Sequence, residues 1–151
     1  MDTQIARKFF ISQFFQTSFL TDSNNFQFAS FIFKTVRIQG IIIDTFDNVN
    51  SDGDLERYHY IDDGSGLARI GPLPVSSDLK AGSHVAVIGE LTYDLTENIF
   101  SIGAISRVFD KSHDPNAETT WMIEVVSVHR EGLRKTCICG ASCYVLSLTS
   151  S

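Results

Sequence analysis

Three short stretches of this chain hold residue types that could do chemistry. Asn48-Val49-Asn50-Ser51-Asp52-Gly53 imitates the start of a calcium-binding EF loop. Its first position lacks the usual Asp, and its twelfth is His59 where a bidentate Glu is required. No helical pattern flanks it, so it reads as a solvated hairpin loop. Gly64-Ser65-Gly66 could cradle a phosphate, but no Gly-rich continuation follows and no helix presents its N-terminus. That segment reads as a tight hairpin turn. Cys137, Cys139 and Cys143, with His129 nearby, could bind zinc, yet their spacing fits no common structural site. A flexible tail is the expectation there. The histidines, His59, His84, His113 and His129, are scattered singly, and no Ser/His/Asp, Cys/His or paired-carboxylate set can be assembled. Neither catalysis, a metal nor a cofactor is expected.

One constellation suits binding instead. Tyr58 and Tyr60 flank His59 on a strand pattern, and exposed aromatics on a strand can stack nucleic-acid bases. The opposite face of such a strand must line a core, so part of this set is structural. Asp44 to Glu56 beside it is expected to be an acidic loop, which opposes phosphate.

Charge bears on the same question. Twelve Lys plus Arg against eighteen Asp plus Glu give a net charge of -6. Proteins that hold nucleic acid alone usually present a basic face, so the balance argues for weak or no direct binding. The 151 residues suffice for one domain with a sizeable core. The odd number of cysteines, all near one end, argues against a disulfide framework and for an intracellular protein. No apolar run reaches about 18 residues, so no membrane-spanning helix is expected. Arg7, Lys8, Gln13 and Gln16 interrupt the start too often for a secretory signal, while its Ser, Thr and Phe content leaves an organellar transit peptide open.

The elements that would position these residues follow from periodicity. Ile5, Phe9, Phe10, Phe14, Phe15, Phe19 and Leu20 recur at helical intervals, predicting a helix over 5–20 that packs on its own domain or faces another subunit. Asp22-Ser23-Asn24-Asn25 breaks it by turn chemistry. From Phe31 to Asp44 the pattern is β, with Gly40 mid-strand where a bend or bulge is needed. Further strands follow at Leu55 to Asp62, Leu67 to Ile70, His84 to Leu91 and Asn98 to Phe109. The third ends at Gly71-Pro72-Leu73-Pro74, and the fourth carries a second bend at Gly89.

Five strands with flanking helices match an all-β class, the five-stranded oligonucleotide/oligosaccharide-binding (OB-fold) barrel. A β-sandwich would want about seven strands. The organisation expected is an N-terminal helix and turn over 1–25, a barrel over 26–110, a linker and C-terminal helix over 111–130, and a tail over 131–151. In that last helix Trp121, Val125 and Val128 fall at i, i+4 and i+7, with Met122 and Val126 one position on. This is more apolar surface than one barrel end can readily hide, which predicts a protein partner anchored by Trp121.

The residues Trp121-Met122-Ile123-Glu124-Val125-Val126-Ser127-Val128-His129-Arg130 resemble the closing helix of the RecQ-mediated genome instability protein 2 family. Gln39-Gly40, the Asp62-to-Gly66 turn, Lys80-Ala81-Gly82 and Ala6-Arg7-Lys8-Phe9-Phe10 are similar to that family as well. Met122 and Ser127 depart from its acidic positions, and the tail after Arg130 has no counterpart in it. The resemblance implies a nuclear, non-catalytic scaffold subunit in DNA repair and homologous recombination. Such a subunit pairs with the OB-fold partner RecQ-mediated genome instability protein 1, and through it with topoisomerase III alpha and a Bloom-type RecQ helicase. That complex dissolves double Holliday junctions. By the same resemblance Trp121, Met122, Val125, Val128 and Lys8 would contact the partner. The alternative class is a single-strand-binding OB-fold subunit of a replication protein A-like or telomere-capping complex, which would use Tyr58 and Tyr60.

Overall fold

A computed structural model describes residues 6–75, 78–110 and Val125. The chain runs through β1 (Arg7–Lys8), a 3-10 helix (Ile11–Gln16), β2 (Ser18–Leu20), β3 (Asn25–Phe28), β4 (Phe31–Phe33), β5 (Thr35–Val49), β6 (Leu55–Asp62), β7 (Leu67–Leu73), β8 (His84–Asp94) and β9 (Ile99–Asp110). Sheet order β1-β5-β6-β7-β9-β8, with β8 returning to pair with β5, closes a five-stranded barrel. This is the OB-fold arrangement.

Alternation builds the barrel wall. Val36, Ile38 and Ile42 of β5 point inward, as do Ile61 of β6, Ile70 of β7, Val85 and Val87 of β8 and Ile102 of β9, all fully buried. Strand β5 serves two neighbours: Thr35 to Ile41 pair with β8, and Ile41 to Val49 pair with β6. Gly40 sits where it changes partner. A Cβ there would lie 2.6 Å from the Asp62 carbonyl oxygen, so only glycine allows the strands to cross so closely. Gly89 does the same for β8, beside a register shift between Ile88 and Glu90. Both glycine bends expected of a small barrel are present.

The N-terminal segment departs from expectation. No α-helix forms between residues 6 and 20. In its place β1 pairs in parallel with Val36 and Arg37, the 3-10 turn follows, and β2, β3 and β4 make a separate three-stranded antiparallel sheet. Gln13 Oε1 accepts the Phe10 amide at 2.8 Å, and Thr17 Oγ1 donates to the Phe14 carbonyl at 2.6 Å, which hold the short turn. Phenylalanine favours extended backbone when its ring has a groove to fill. Here Phe9 meets Phe33, Phe28 and Phe14 at centroid distances of 4.8, 5.6 and 5.7 Å, and Phe14 meets Phe100 at 5.5 Å. The N-terminal phenylalanines plug one end of the barrel. Asn24, at φ 56°, turns β2 into β3, so the Asp-Ser-Asn-Asn stretch does make a turn, but between two strands rather than at the end of a helix.

Two other boundaries move. Residues Asp44 to Val49 are not loop: β5 continues through them, and the tip is only Asn50 to Asp54. A register shift between Ile42 and Asp44 breaks the alternation there, so the run stops looking like a strand. Strand β7 also runs past Ile70 to Leu73. Pro72 is tolerated because it lies opposite the irregular register between Arg57 and His59, where no ladder donor is needed.

Candidate nucleic-acid interface

The outward face of the β5–β6 hairpin carries the aromatic set. Register places Phe46 opposite Tyr58 and Asp44 opposite Tyr60. Phe46 and Tyr58 stack with centroids 5.2 Å apart and planes 12° from parallel, and Tyr60 tilts against Phe46 at 5.6 Å. The Arg69 guanidinium lies 5.5 Å from the Tyr58 ring. An aromatic row beside arginine is the arrangement on which single-strand bases can stack. Tyr58 and Tyr60 therefore sit where the sequence placed them. Phe46 and Arg69 join them, and the sequence reading had missed both; Arg57 points to the opposite face of β6, with His59 and its register partner Asp47. Phe46 was hidden in the supposed acidic loop.

Both arginines are already engaged. Arg57 grips Asp47 with Nε to Oδ1 at 2.7 Å and an Nη to Oδ2 at 3.1 Å, and also donates to the Val75 carbonyl at 3.0 Å. Arg69 donates to Asp94 Oδ2 at 2.8 Å and to Glu97 Oε2 at 2.7 Å. Tyr60 donates its hydroxyl to Glu97 Oε1 at 2.7 Å. The Arg57 hydrogen bond holds the Asp47 carboxyl below its usual range, and the Arg69 bond does the same for Asp94 with help from backbone amides. Acceptance by Glu97 pushes the Tyr60 hydroxyl up. On the aromatic face Arg69 meets two carboxylates, and on the other face Asp47 holds Arg57, so neither arginine has spare positive charge. Phosphate would have to displace the carboxylates.

Beneath this face His59 is fully buried, with Nδ1 2.7 Å from Thr45 Oγ1, and its Nε2 has no hydrogen-bond partner. Burial, then the nearby Arg57 cation, lowers its pKa, while Asp47 opposes the shift. This histidine is a core residue.

The other sequence candidates resolve as follows. Asn50 Oδ1 accepts the amides of Asp52 and Asp54 at 2.9 and 3.0 Å, so the EF-like stretch closes a hairpin. Asp63 organises the Gly64-Ser65-Gly66 turn: its Oδ1 accepts the Ser65 amide and hydroxyl and the Gly66 amide. Lys8 lies half-buried in β1 rather than in a helix, paired in register with Arg37. Val125 is fully buried within the single chain, so its side chain presents no free surface to a second protein. Trp121, Met122, Val128, the expected helix and linker over 111–130 apart from Val125, His113, His129, the three cysteines and the tail over 131–151 lie outside the described residues.

No protein-family model matches the chain, and no curated protein matches it either. Solved structures do. A chain of a replication protein A heterotrimer bound to ssDNA superposes with TM-score 0.70 at 16% identity, covering 85% of this chain and 98% of its own. A chain of the S. pombe Stn1-Ten1 complex gives TM-score 0.69 at 16% identity, covering 88% and 97%. One from the yeast Stn1 and Ten1 structure gives 0.64 at 14% identity, covering 87% and 76%. At such identities the likeness shows the fold alone, an OB barrel.

Proposed function

We propose that this chain is a non-catalytic OB-fold subunit whose work is protein contact. It pairs with a second OB-fold protein of the RecQ-mediated genome instability protein 1 kind, within a nuclear RecQ helicase–topoisomerase III complex that resolves recombination intermediates. One observation carries the choice of protein over nucleic acid: Arg69, the arginine beside the stacking aromatics, is bound by both Asp94 and Glu97, and Arg57 on the other face of β6 is held by Asp47. A face so neutralised, on a chain of net charge -6, releases few counterions on meeting a strand and gains little affinity. The Trp121-to-Arg130 segment, which resembles the family's docking helix, supplies the candidate contact. Trp121, Met122 and Val128 are its contact residues, with Lys8 beside them by the same resemblance; Val125 supports from within. Structural likeness to chains of an RPA heterotrimer and of a Stn1-Ten1 complex fits a subunit of a larger assembly.

The experiment is co-expression with a RecQ-mediated genome instability protein 1 homologue, followed by pull-down and calorimetry. Trp121→Ala should leave the barrel folded and weaken the pair by at least about tenfold, ~1.4 kcal/mol. Unchanged affinity would remove the docking role.

A second reading has its own support. The Phe46–Tyr58 stack is partly exposed, and a similar chain comes from a replication protein A complex bound to ssDNA. It makes the chain a single-strand-binding subunit of a replication protein A-like or telomere-capping complex. Titration of oligo-dT at low salt decides: salt-dependent binding lost in Tyr58→Ala and Tyr60→Ala supports it, and a flat titration ends it.

A further inference from the structure

Beyond Arg57 the β5–β6 ribbon has no third strand beside it among the described residues, and it ends in the tip Asn50 to Asp54. Val49 and Leu55, the register pair next to that tip, are 59% and 55% exposed. No buried apolar contact anchors the tip there, so its turn opens at low cost. Backbone amides supply its internal bonds: those of Asp52 and Asp54 donate to Asn50 Oδ1, and that of Gly53 donates to the Asn50 carbonyl at 3.0 Å. The Ser51 hydroxyl and the carboxylates of Asp52 and Asp54 take no part. They are exposed and have no other partner among the described residues.

A free hydroxyl followed by carboxylates at the next and third positions is a charge pattern that a kinase can read with basic side chains of its own. No other serine or threonine of this chain has an acidic residue three places on. Bonding separates Ser51 from the serine of the other acidic turn as well. Ser65 donates its hydroxyl to Asp63 Oδ1 at 2.7 Å and accepts the Ser12 amide at 3.0 Å. We propose that Ser51 is a phosphorylation site for an acid-directed serine kinase, with ATP as the phosphoryl donor. Ser51 Oγ attacks the γ-phosphorus and the bond from that phosphorus to the β–γ bridging oxygen breaks. ADP leaves, and the hydroxyl proton passes to the kinase's catalytic base. The phosphate brings about -1.5 to -2 charges at neutral pH. Beside Asp52 and Asp54 it loosens the tip by like-charge repulsion, and it strengthens the rejection of a nucleic-acid strand by the neighbouring aromatic face. Neither this site nor the Trp121 contact needs the other, so failure of one leaves the other standing.

Incubation of the full chain with casein kinase II and ATP, followed by tandem mass spectrometry of its peptides, tests this. Phosphate should appear on Ser51, and Ser51→Ala should abolish it. Asp54→Asn should slow the initial rate by about tenfold, because it removes one charge-assisted contact to the kinase. Ser65→Ala should leave the rate unchanged. Ser51 and Asp54 are exposed and their side chains hold nothing in the turn, so these variants fold as the parent does. No incorporation, phosphate on Ser65 or another residue in place of Ser51, or a rate indifferent to Asp54→Asn would overturn the proposal.

Discussion

The amide of Ile11 donates to Asp63 Oδ2 at 2.7 Å, joining residues 52 apart in sequence. The other oxygen of the same carboxylate holds the β6–β7 turn through Ser65 and Gly66. One side chain thus ties the N-terminal 3-10 turn to the barrel, and the next amide, Ser12, adds a bond to Ser65 Oγ at 3.0 Å. Asp63→Ala leaves these amides without their acceptor, a loss of about 1–3 kcal/mol. Urea unfolding should show it, and hydrogen exchange at Ile11 should accelerate before the barrel strands do. Equal protection in both proteins would mean the latch carries no weight.

The pH dependence of stability follows from His59. Its pKa in the folded chain lies below the ordinary value of 6.5, mainly because burial disfavours the charged ring. The unfolded chain therefore takes up the proton first. Stability is full above pH 6.5 and falls as the pH drops below it, levelling once the folded ring also protonates. Chemical denaturation at neutral pH and in mild acid should reveal the loss, and His59→Phe should reduce the part due to this ring. A parent no less stable in acid would contradict the buried neutral histidine.

Gly89→Ala should damage the barrel. The added carbon would lie 2.5 Å from the Gly103 carbonyl oxygen and 2.6 Å from Ile102 Cγ2, an overlap costing about 1–3 kcal/mol or more. Gly103→Ala is the control, since its new carbon meets only the Gly71 oxygen, at 3.5 Å, and should change stability by less than about 1 kcal/mol. Thermal melts of the two variants should separate clearly. Similar melting points would mean that β8 does not need its bend.

The double variant Asp94→Asn, Glu97→Gln should release Arg69 beside the Phe46–Tyr58 stack. Its effect is best read on oligo-dT: the variant should bind more tightly than the parent at low salt, with a steeper dependence on salt concentration. If freeing this guanidinium changes nothing, the paired carboxylates are not what keeps a strand off the face.

The barrel strands were legible because Val36-x-Ile38-x-Gly40-x-Ile42 and Val85-x-Val87-x-Gly89-x-Leu91 keep a period of two and mark their own bends. Two things broke that legibility. The irregular register at Ile43 shifted the phase, so Phe46 looked like loop although it pairs with Tyr58. At the N-terminus, phenylalanines on a 3-10 turn and short strands fall at intervals that mimic a helix face. Tyr58 and Tyr60 could be singled out because they flank a core residue on one strand. The pairing that disarms their arginines could not, since Asp47 is 10 residues from Arg57, and Asp94 and Glu97 are 25 and 28 from Arg69. The β5–β6 hairpin register brings Asp47 to Arg57, and the barrel brings Asp94 and Glu97 to Arg69.

The parallel seam between β7 and β9, Arg69 beside Ser101 and Ile70 beside Ile102, has a further consequence for synthesis on the ribosome. Until β9 has left the exit tunnel, β7 and β8 each keep a bare flank, and the nascent chain holds an unclosed sheet prone to stick to others. Messages cut short before Ile99 should therefore yield aggregates for the proteolytic machinery rather than a smaller working product.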